Sequence, residues 1–179
     1  MTLRILKQIQ RLQEHLLELG VARGILALPA PRMLSLPSPS SNQAEPANLF
    51  AHLILEPEIV DVARDLFVSG HYSHAVQEAF KAIDKFVSSK AKRPNLSGTQ
   101  LMELIFSPKD PLLFWSERSS QSEIDEQHGY HRLFAGAMLG IRNPVTHEFN
   151  WVEDGELALE LIAFAQHLLR KAKLAQVNR

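Results

Sequence analysis

Helical periodicity is the feature that most constrains what this chain can fold into. From about residue 49 to 176, apolar residues recur three and four positions apart, which places them on one face of successive helices. We find no segment whose alternation of apolar and polar residues indicates a strand. The sequence therefore predicts an all-α domain, built as an up-and-down bundle of four or five helices.

Residues that favour helix ends set the expected boundaries. Pro57 opens one helix, which ends near Gly70, and the next helix spans about 72–90. Capping-box patterns that begin at Ser97 and Ser120 open a short helix and a long one. A loop rich in proline and serine separates these two helices.

The last helix is predicted to begin after Asp154, whose side chain would cap it. Its predicted core positions follow helical spacing: Leu157, Leu161, Phe164, Ala165 and Leu168.

Two segments of different character precede this domain, so we expect three parts, 1–20, 21–48 and 49–176. Apolar residues of the first part follow the 4-3-4-3 spacing of a short coiled coil, and Gly20 stands where it would end. This extra N-terminal helix is either an oligomerisation arm or a helix that folds back on its own domain. Residues 21–48 hold half of the ten prolines and several serines, which favours a semi-extended tether over a binding segment.

Composition excludes several function classes. The 19 Lys and Arg residues and 20 Asp and Glu residues give a net charge of -1, which argues against coating nucleic acid through bulk positive charge. With no cysteine, the chain forms no disulfide, thiol nucleophile, zinc ribbon or iron–sulfur cluster. No apolar run is long enough to span a membrane, and charges interrupt the N-terminal segment, so we expect a cytoplasmic protein without a membrane segment.

Histidine spacing raises the question of a metal site. Two pairs lie three residues apart, His71 with His74 and His128 with His131. Each pair shares a helix face, and Glu78 or Asp125 lies close to it in sequence. Both pairs also fall near helix starts, where polar residues are common. We therefore predict neither a metal nor another cofactor.

The segment Arg142-Asn143-Pro144-Val145-Thr146-His147 carries the chemistry that the rest of the domain lacks. Pro144 lacks an N–H and disfavours helical angles at Asn143, so the helix is expected to end or kink there. Arg142 would then stand at a helix C-terminus, and His147 on the turn beyond. The preceding helix has a face of small residues: Ala135, Gly136, Ala137 and Gly140.

These side chains suit an anionic ligand. The planar donors of Arg142 match phosphate oxygens, and His147 can move a proton near neutral pH. The alternative is structural, with Arg142 in a salt bridge and His147 solvated.

Arg142 and His147, with four intervening residues and a polar Asn143 after the arginine, match the signature of the HEPN superfamily. A longer run, from Glu56-Pro57-Glu58-Ile59 through Gly70-His71-Tyr72 to Leu133-Phe134-Ala135-Gly136-Ala137-Met138, resembles the Ymh-type family of prokaryotic proteins, often placed within HEPN. The resemblance covers roughly residues 53–175. Val145 departs from it locally.

The resemblance implies a helical bundle that forms a homodimer, with Arg and His of both chains meeting at one cleft. Many HEPN proteins are metal-independent endoribonucleases of toxin–antitoxin or phage-defence systems, and others only bind nucleotides, RNA or protein partners. In an endoribonuclease, Arg142 would hold the phosphate, His147 would act as base or acid, and Asn143 would orient either group. The partners implied are a second copy of the chain, RNA or a nucleotide, and an antitoxin.

Four further residues within the resembling stretch are candidates to support the cleft. Glu78 and Lys81 share a helix face, although an exposed ion pair within the helix explains them equally well. His71 and Tyr72 either line the cleft or cap the turn between two helices.

Overall fold

The structure is a computed structural model that describes residues 44–148 and 150–178. The predicted N-terminal helix at 1–20, and the greater part of the predicted tether at 21–48, lie outside the described residues.

Helices dominate the described residues, which confirms the predicted all-α class. In chain order the helices are α1 (Ala44–Leu53), α2 (Pro57–Val68), α3 (Tyr72–Lys90), α4 (Gly98–Ile105), α5 (Gln121–Ala137), a π-helical turn (Met138–Arg142), α6 (Asn143–His147) and α7 (Gly155–Leu174). Two short strands, β1 (Leu113–Phe114) and β2 (Gln176–Val177), pair antiparallel with Leu113 opposite Val177. Sequence alternation could not reveal strands of two residues, so the expectation of no strand was wrong in this detail.

The predicted tether ends earlier than its composition suggested, because α1 already begins at Ala44. Pro46 lies in the first turn of α1. Backbone N–H groups in the first turn have no acceptor within the helix, so the N–H that proline lacks costs no hydrogen bond there. Phe50 and Ile54 follow at helical spacing and are buried in the core. The prediction that 44–48 belongs to the tether is therefore wrong.

Most helix ends lie where the sequence placed them. Helices α2 and α3 have the predicted starts, and Gly70 follows α2 with a positive φ of 77° that glycine adopts without strain. The capping box at Ser120 is formed, and the Asp154 carboxylate accepts the N–H of Leu157 at 2.9 Å. Ser97 precedes α4 as predicted but makes no side-chain cap bond. Instead, the carboxylate of Asp84 accepts the N–H of Gly98 at 2.8 Å.

Aromatic side chains fill the core between the helices. The largest fully buried ones are Phe50, Phe67, Phe80, Phe106 and Phe134. On α7, Ala165 and Leu168 are inaccessible as predicted, and Leu161 and Phe164 are partly buried against the core, whereas Leu157 is 43% exposed. Leu157 lies in the first turn, one position before the buried Ala158, so its predicted core role is wrong.

Polar contacts join α7 to the start of α2. The Gln166 side-chain oxygen accepts the N–H groups of Leu55 and Glu56 at 2.6 and 2.9 Å. The carboxylate of Glu56 accepts hydrogen bonds from Lys173 and Arg170, which lower the pKa of Glu56. In the described part of the chain, none of the helices combines the length and apolar character that crossing a bilayer requires.

Candidate functional site

The helix does not break at Pro144. Helix α5, the π-helical turn and α6 follow one another without a gap, and Asn143 has helical angles of φ -66° and ψ -49°. The N–H of Asn143 donates to the carbonyl of Met138, five residues back, so the turn before Pro144 is wider than an α turn. A wider turn relieves the clash between a proline ring and the carbonyl four residues earlier. Of the two predicted outcomes, an end or a kink, the end is therefore wrong, and so is a helix C-terminus at Arg142.

Arg142 lies in this wide turn and faces the start of α4. Its Nη1 is 4.0 Å from the position that a Cβ would take on Gly98, and it donates to the Asn143 side-chain oxygen at 3.3 Å. Its Nε is buried and has no hydrogen-bond partner among the described residues. The guanidinium is thus held partly inside the protein, with one donor unsatisfied.

Asp84 is a site residue that the sequence analysis missed. It is only 7% exposed, and burial raises the pKa of its carboxyl group, while the bond from the Gly98 N–H and the positive charge of Arg142 oppose that rise. Asp84 therefore places a buried acid beside Arg142. Its position could have signalled this, since Asp84 lies four residues after Phe80 on the apolar face of α3.

His147 opens onto a different place, a cavity of about 350 Å³ between the start of α3 and the end of α6. His71, His74 and Gln77 line it from the α3 side, and Thr146 and His147 from the α6 side. The three imidazoles are exposed to solvent. The cavity therefore collects three imidazole side chains, each of which can donate or accept a hydrogen bond.

Hydrogen bonds fix the two walls of this cavity to each other. Gln77 donates from Nε2 to the hydroxyl of Thr146 at 3.2 Å, and that hydroxyl donates to the carbonyl of Arg142 at 2.7 Å. Ser73 accepts the N–H of Val152 at 2.8 Å, which joins α3 to the segment after α6. Both walls are thus anchored by contacts that do not involve the imidazoles.

Within one chain, Arg142 and His147 do not share a cavity, since Arg142 is not among the lining residues. Arg142 faces α3 near Asp84, whereas the residue before His147 contacts Gln77. Asp84 and Gln77 are seven residues apart on α3, which corresponds to about 10 Å along the axis of that helix. Asn143 contacts Arg142 and not the cavity.

The supporting candidates divide into two groups. His71 and Tyr72 line the cavity, and the Tyr72 ring packs edge-on against Phe67 with centroids 5.2 Å apart. Glu78 and Lys81 form an ion pair of 2.6 Å within α3 and do not line the cavity. For this second pair, the geometry matches the alternative of an intrahelical ion pair.

Histidines of the two predicted pairs have different surroundings. Nε2 of His131 lies 2.8 Å from the carboxylate of Glu103, whereas the rings of His71 and His74 are 6.4 Å apart between centroids. Among the residues that the structure describes, no three acidic or histidine side chains are arranged to hold a metal ion.

The four small residues before and within the wide turn do not form one face. Ala135 and Ala137 are 6% and 4% exposed and belong to the core. Gly136 and Gly140 lie on the outer surface, where a Cβ would meet no atom of residues 44–148 and 150–178 within 4 Å. The prediction that all four small residues share one face is therefore wrong, because the two alanines are buried and the two glycines are exposed.

Comparison with known proteins assigns the chain to a family. Residues 54–172, more than half of the chain, match the model of a family described as "Protein of unknown function (Hypoth_ymh)". The chain belongs to the Hypoth_ymh family. The matched residues include Asp84, Arg142 and the whole cavity, so both candidate sites are parts of the Hypoth_ymh domain. No curated protein and no solved structure gives a significant match.

Proposed function

We propose that this Hypoth_ymh protein is a metal-independent endoribonuclease of the HEPN type, acting as a homodimer on RNA in the cytoplasm. One observation carries the proposal: a wide turn that ends at Arg142 continues without interruption into the helix that ends at His147, and His147 lines a cavity with two more imidazoles. Wide turns of this kind occur frequently at functional sites.

The reaction would be attack of a ribose 2′-hydroxyl on the adjacent phosphorus atom. It requires a base for the hydroxyl proton, an acid for the leaving 5′-oxygen and a cation for the charged transition state. His147 is the base or the acid, Arg142 stabilises the phosphate charge, and Asn143 orients Arg142 through their 3.3 Å hydrogen bond. The second proton-transferring group is either His147 of the partner subunit or another group of the same chain.

Dimerisation would supply two copies of Arg142 and His147. Support comes from the outer surface around the wide turn, where Leu133 and Leu139 are 44% and 61% exposed beside Gly136 and Gly140. The open space at both glycines allows another backbone to approach closely. A two-fold interface on this surface would bring the two wide turns together.

The biological setting that we propose follows the resemblance to HEPN proteins, namely a toxin–antitoxin or phage-defence system with an antitoxin partner. The net charge of -1 requires that RNA contacts be local, because the chain has no general excess of positive charge.

Replacing Arg142 by alanine tests the proposal. In the presence of a chelator, we expect wild-type protein to cleave labelled RNA and Arg142→Ala to cleave it about 10²–10³-fold more slowly, because the transition state loses its cation. The matched control is Arg64→Ala, an exposed arginine on α2, which should retain the wild-type rate. Cleavage rates are followed by gel electrophoresis.

Equal cleavage by wild type and Arg142→Ala would contradict the proposal, because a contaminating nuclease would then account for the activity. RNA that binds and is recovered intact would favour a non-catalytic nucleotide- or RNA-binding module instead.

A further inference from the structure

His74 and His147 line the same cavity. Gln77 lies three residues after His74, so both share one face of α3. That face is turned toward α6, because Gln77 donates to the hydroxyl of Thr146, the neighbour of His147. His74 and His147 therefore stand on opposite walls of one cavity in one chain.

The dimensions of the cavity suit a phosphate group with its sugar. A volume of about 350 Å³ lies at the lower end of the range for small-molecule sites. The ring of His71 lies 6.4 Å from that of His74 and extends the same polar wall. Imidazoles on both sides of a bound phosphate could each reach one of its oxygens with an ordinary hydrogen bond.

We propose that this cavity binds the scissile phosphate of RNA, that His74 and His147 of the same chain are its two proton-transferring groups, and that the cation at the phosphate is Arg142 of the partner subunit, because Arg142 of the same chain does not line the cavity. The inference rests on the proposed endoribonuclease function and identifies the second group that the reaction requires. It differs from a site in which the two groups are the His147 residues of two subunits.

The reaction balances with these two groups. One imidazole, neutral at the start, takes the proton of the 2′-hydroxyl as the 2′-oxygen bonds to phosphorus. The other, protonated at the start, gives its proton to the 5′-oxygen as the bond between phosphorus and that oxygen breaks. The products are a 2′,3′-cyclic phosphate and a free 5′-hydroxyl, and the two imidazoles have exchanged protonation states.

Charges around the cavity make phosphate binding depend on pH. The other titratable groups that face it are His71, the Tyr72 hydroxyl and the carboxylates of Glu148 and Glu153. When the imidazoles are neutral, the two carboxylates leave the cavity negative and disfavour phosphate. A protonated imidazole is a cation that offsets the charge of these carboxylates, so phosphate affinity should rise as pH falls.

The first experiment observes binding without relying on cleavage. Inorganic phosphate is titrated into the full chain at pH 6 and at pH 8, and the imidazole signals are followed by NMR. We expect the His74 and His147 signals to shift together with one affinity that is tighter at pH 6, while the exposed His52 on α1 does not respond. His74→Gln should weaken phosphate binding about tenfold. No shift of His74 or His147 at either pH would overturn the proposal.

The second experiment asks whether the two groups belong to one chain. His74→Ala and His147→Ala should each lower the rate of RNA cleavage by about 10²–10⁴-fold. Co-expression of the two variants should yield mixed dimers with the same low rate, because every chain lacks one group. Recovery of cleavage in the mixed dimer, or full activity of His74→Ala alone, would overturn the same-chain assignment. Phosphate binding at both imidazoles in a wild-type protein that cleaves no RNA would contradict the proposed function while supporting the cavity as a phosphate site.

Discussion

His147→Ala is expected to lower the first-order rate of RNA cleavage by about 10²–10⁴-fold, the usual contribution of a positioned acid or base. His147 is exposed at the end of α6 and lines the cavity, so the substitution removes a proton-transferring group and little packing. The rate is measured under single-turnover conditions in chelator from pH 5 to pH 9. The wild-type profile should be bell-shaped, since one imidazole must be neutral and another protonated.

The control for this prediction is His52→Ala, another exposed histidine, whose Nδ1 lies 2.9 Å from the carbonyl oxygen of Asn48 within α1. It should retain the wild-type rate and the wild-type profile. A His147→Ala variant that cleaves RNA within twofold of the wild-type rate would contradict the assigned role.

Phe134→Ala should lower the free energy of unfolding by about 3–5 kcal/mol, through lost burial and the cavity that remains. Phe134 is fully buried and stacks on Phe106 with ring centroids 4.3 Å apart, and on Trp115 at 6.2 Å. Because Phe134 lies one turn before the wide turn, its packing also anchors the helix that carries Arg142. Urea denaturation followed by circular dichroism measures the change.

The matched control for Phe134 is Leu174→Ala, at the end of α7, where the side chain is 73% exposed. This substitution should change the free energy of unfolding by no more than about 0.5 kcal/mol. If Phe134→Ala costs no more than the control, the aromatic cluster is not the stabilising core described for this fold.

Helix ends were predictable where short-range chemistry determines them. Pro57 before α2, the capping box at Ser120 and the Asp154 cap each involve residues within one turn of each other, so the sequence contains the whole interaction. The cap of α4 was not predictable in the same way, because its acceptor, Asp84, lies 14 residues from Gly98.

The prediction that the helix ends at Pro144 failed for a different reason. The rule that proline breaks a helix assumes α-helical hydrogen bonds, and the π-helical turn from Met138 satisfies another set. Val145, buried at 4% exposure, holds the following turn against the core, so tertiary packing favours continuation of the helix. Sequence spacing around Pro144 carries no sign of this packing.

The candidate site was predictable only as separate residues. The sequence identified Arg142, Asn143 and His147 as the chemistry-bearing segment, and their roles remain predictions. His74 was considered only as part of a metal site, which was not predicted. The spacing of residues along α3 does not indicate which other helix His74 faces. The shared cavity arises from the packing of α3 against α6, which the Gln77–Thr146 hydrogen bond anchors.

Product chemistry tests the central claim most directly. In chelator, wild-type protein and a parallel preparation of His147→Ala are incubated with an RNA and with the same RNA carrying a 2′-deoxynucleotide at the cleaved position, and the product ends are identified by mass spectrometry. We predict that wild type alone cuts the all-ribose strand, leaving a 2′,3′-cyclic phosphate, and that the deoxy-substituted strand stays intact at that position. Wild-type cleavage of both strands at equal rates, or identical products from both preparations, would contradict the account.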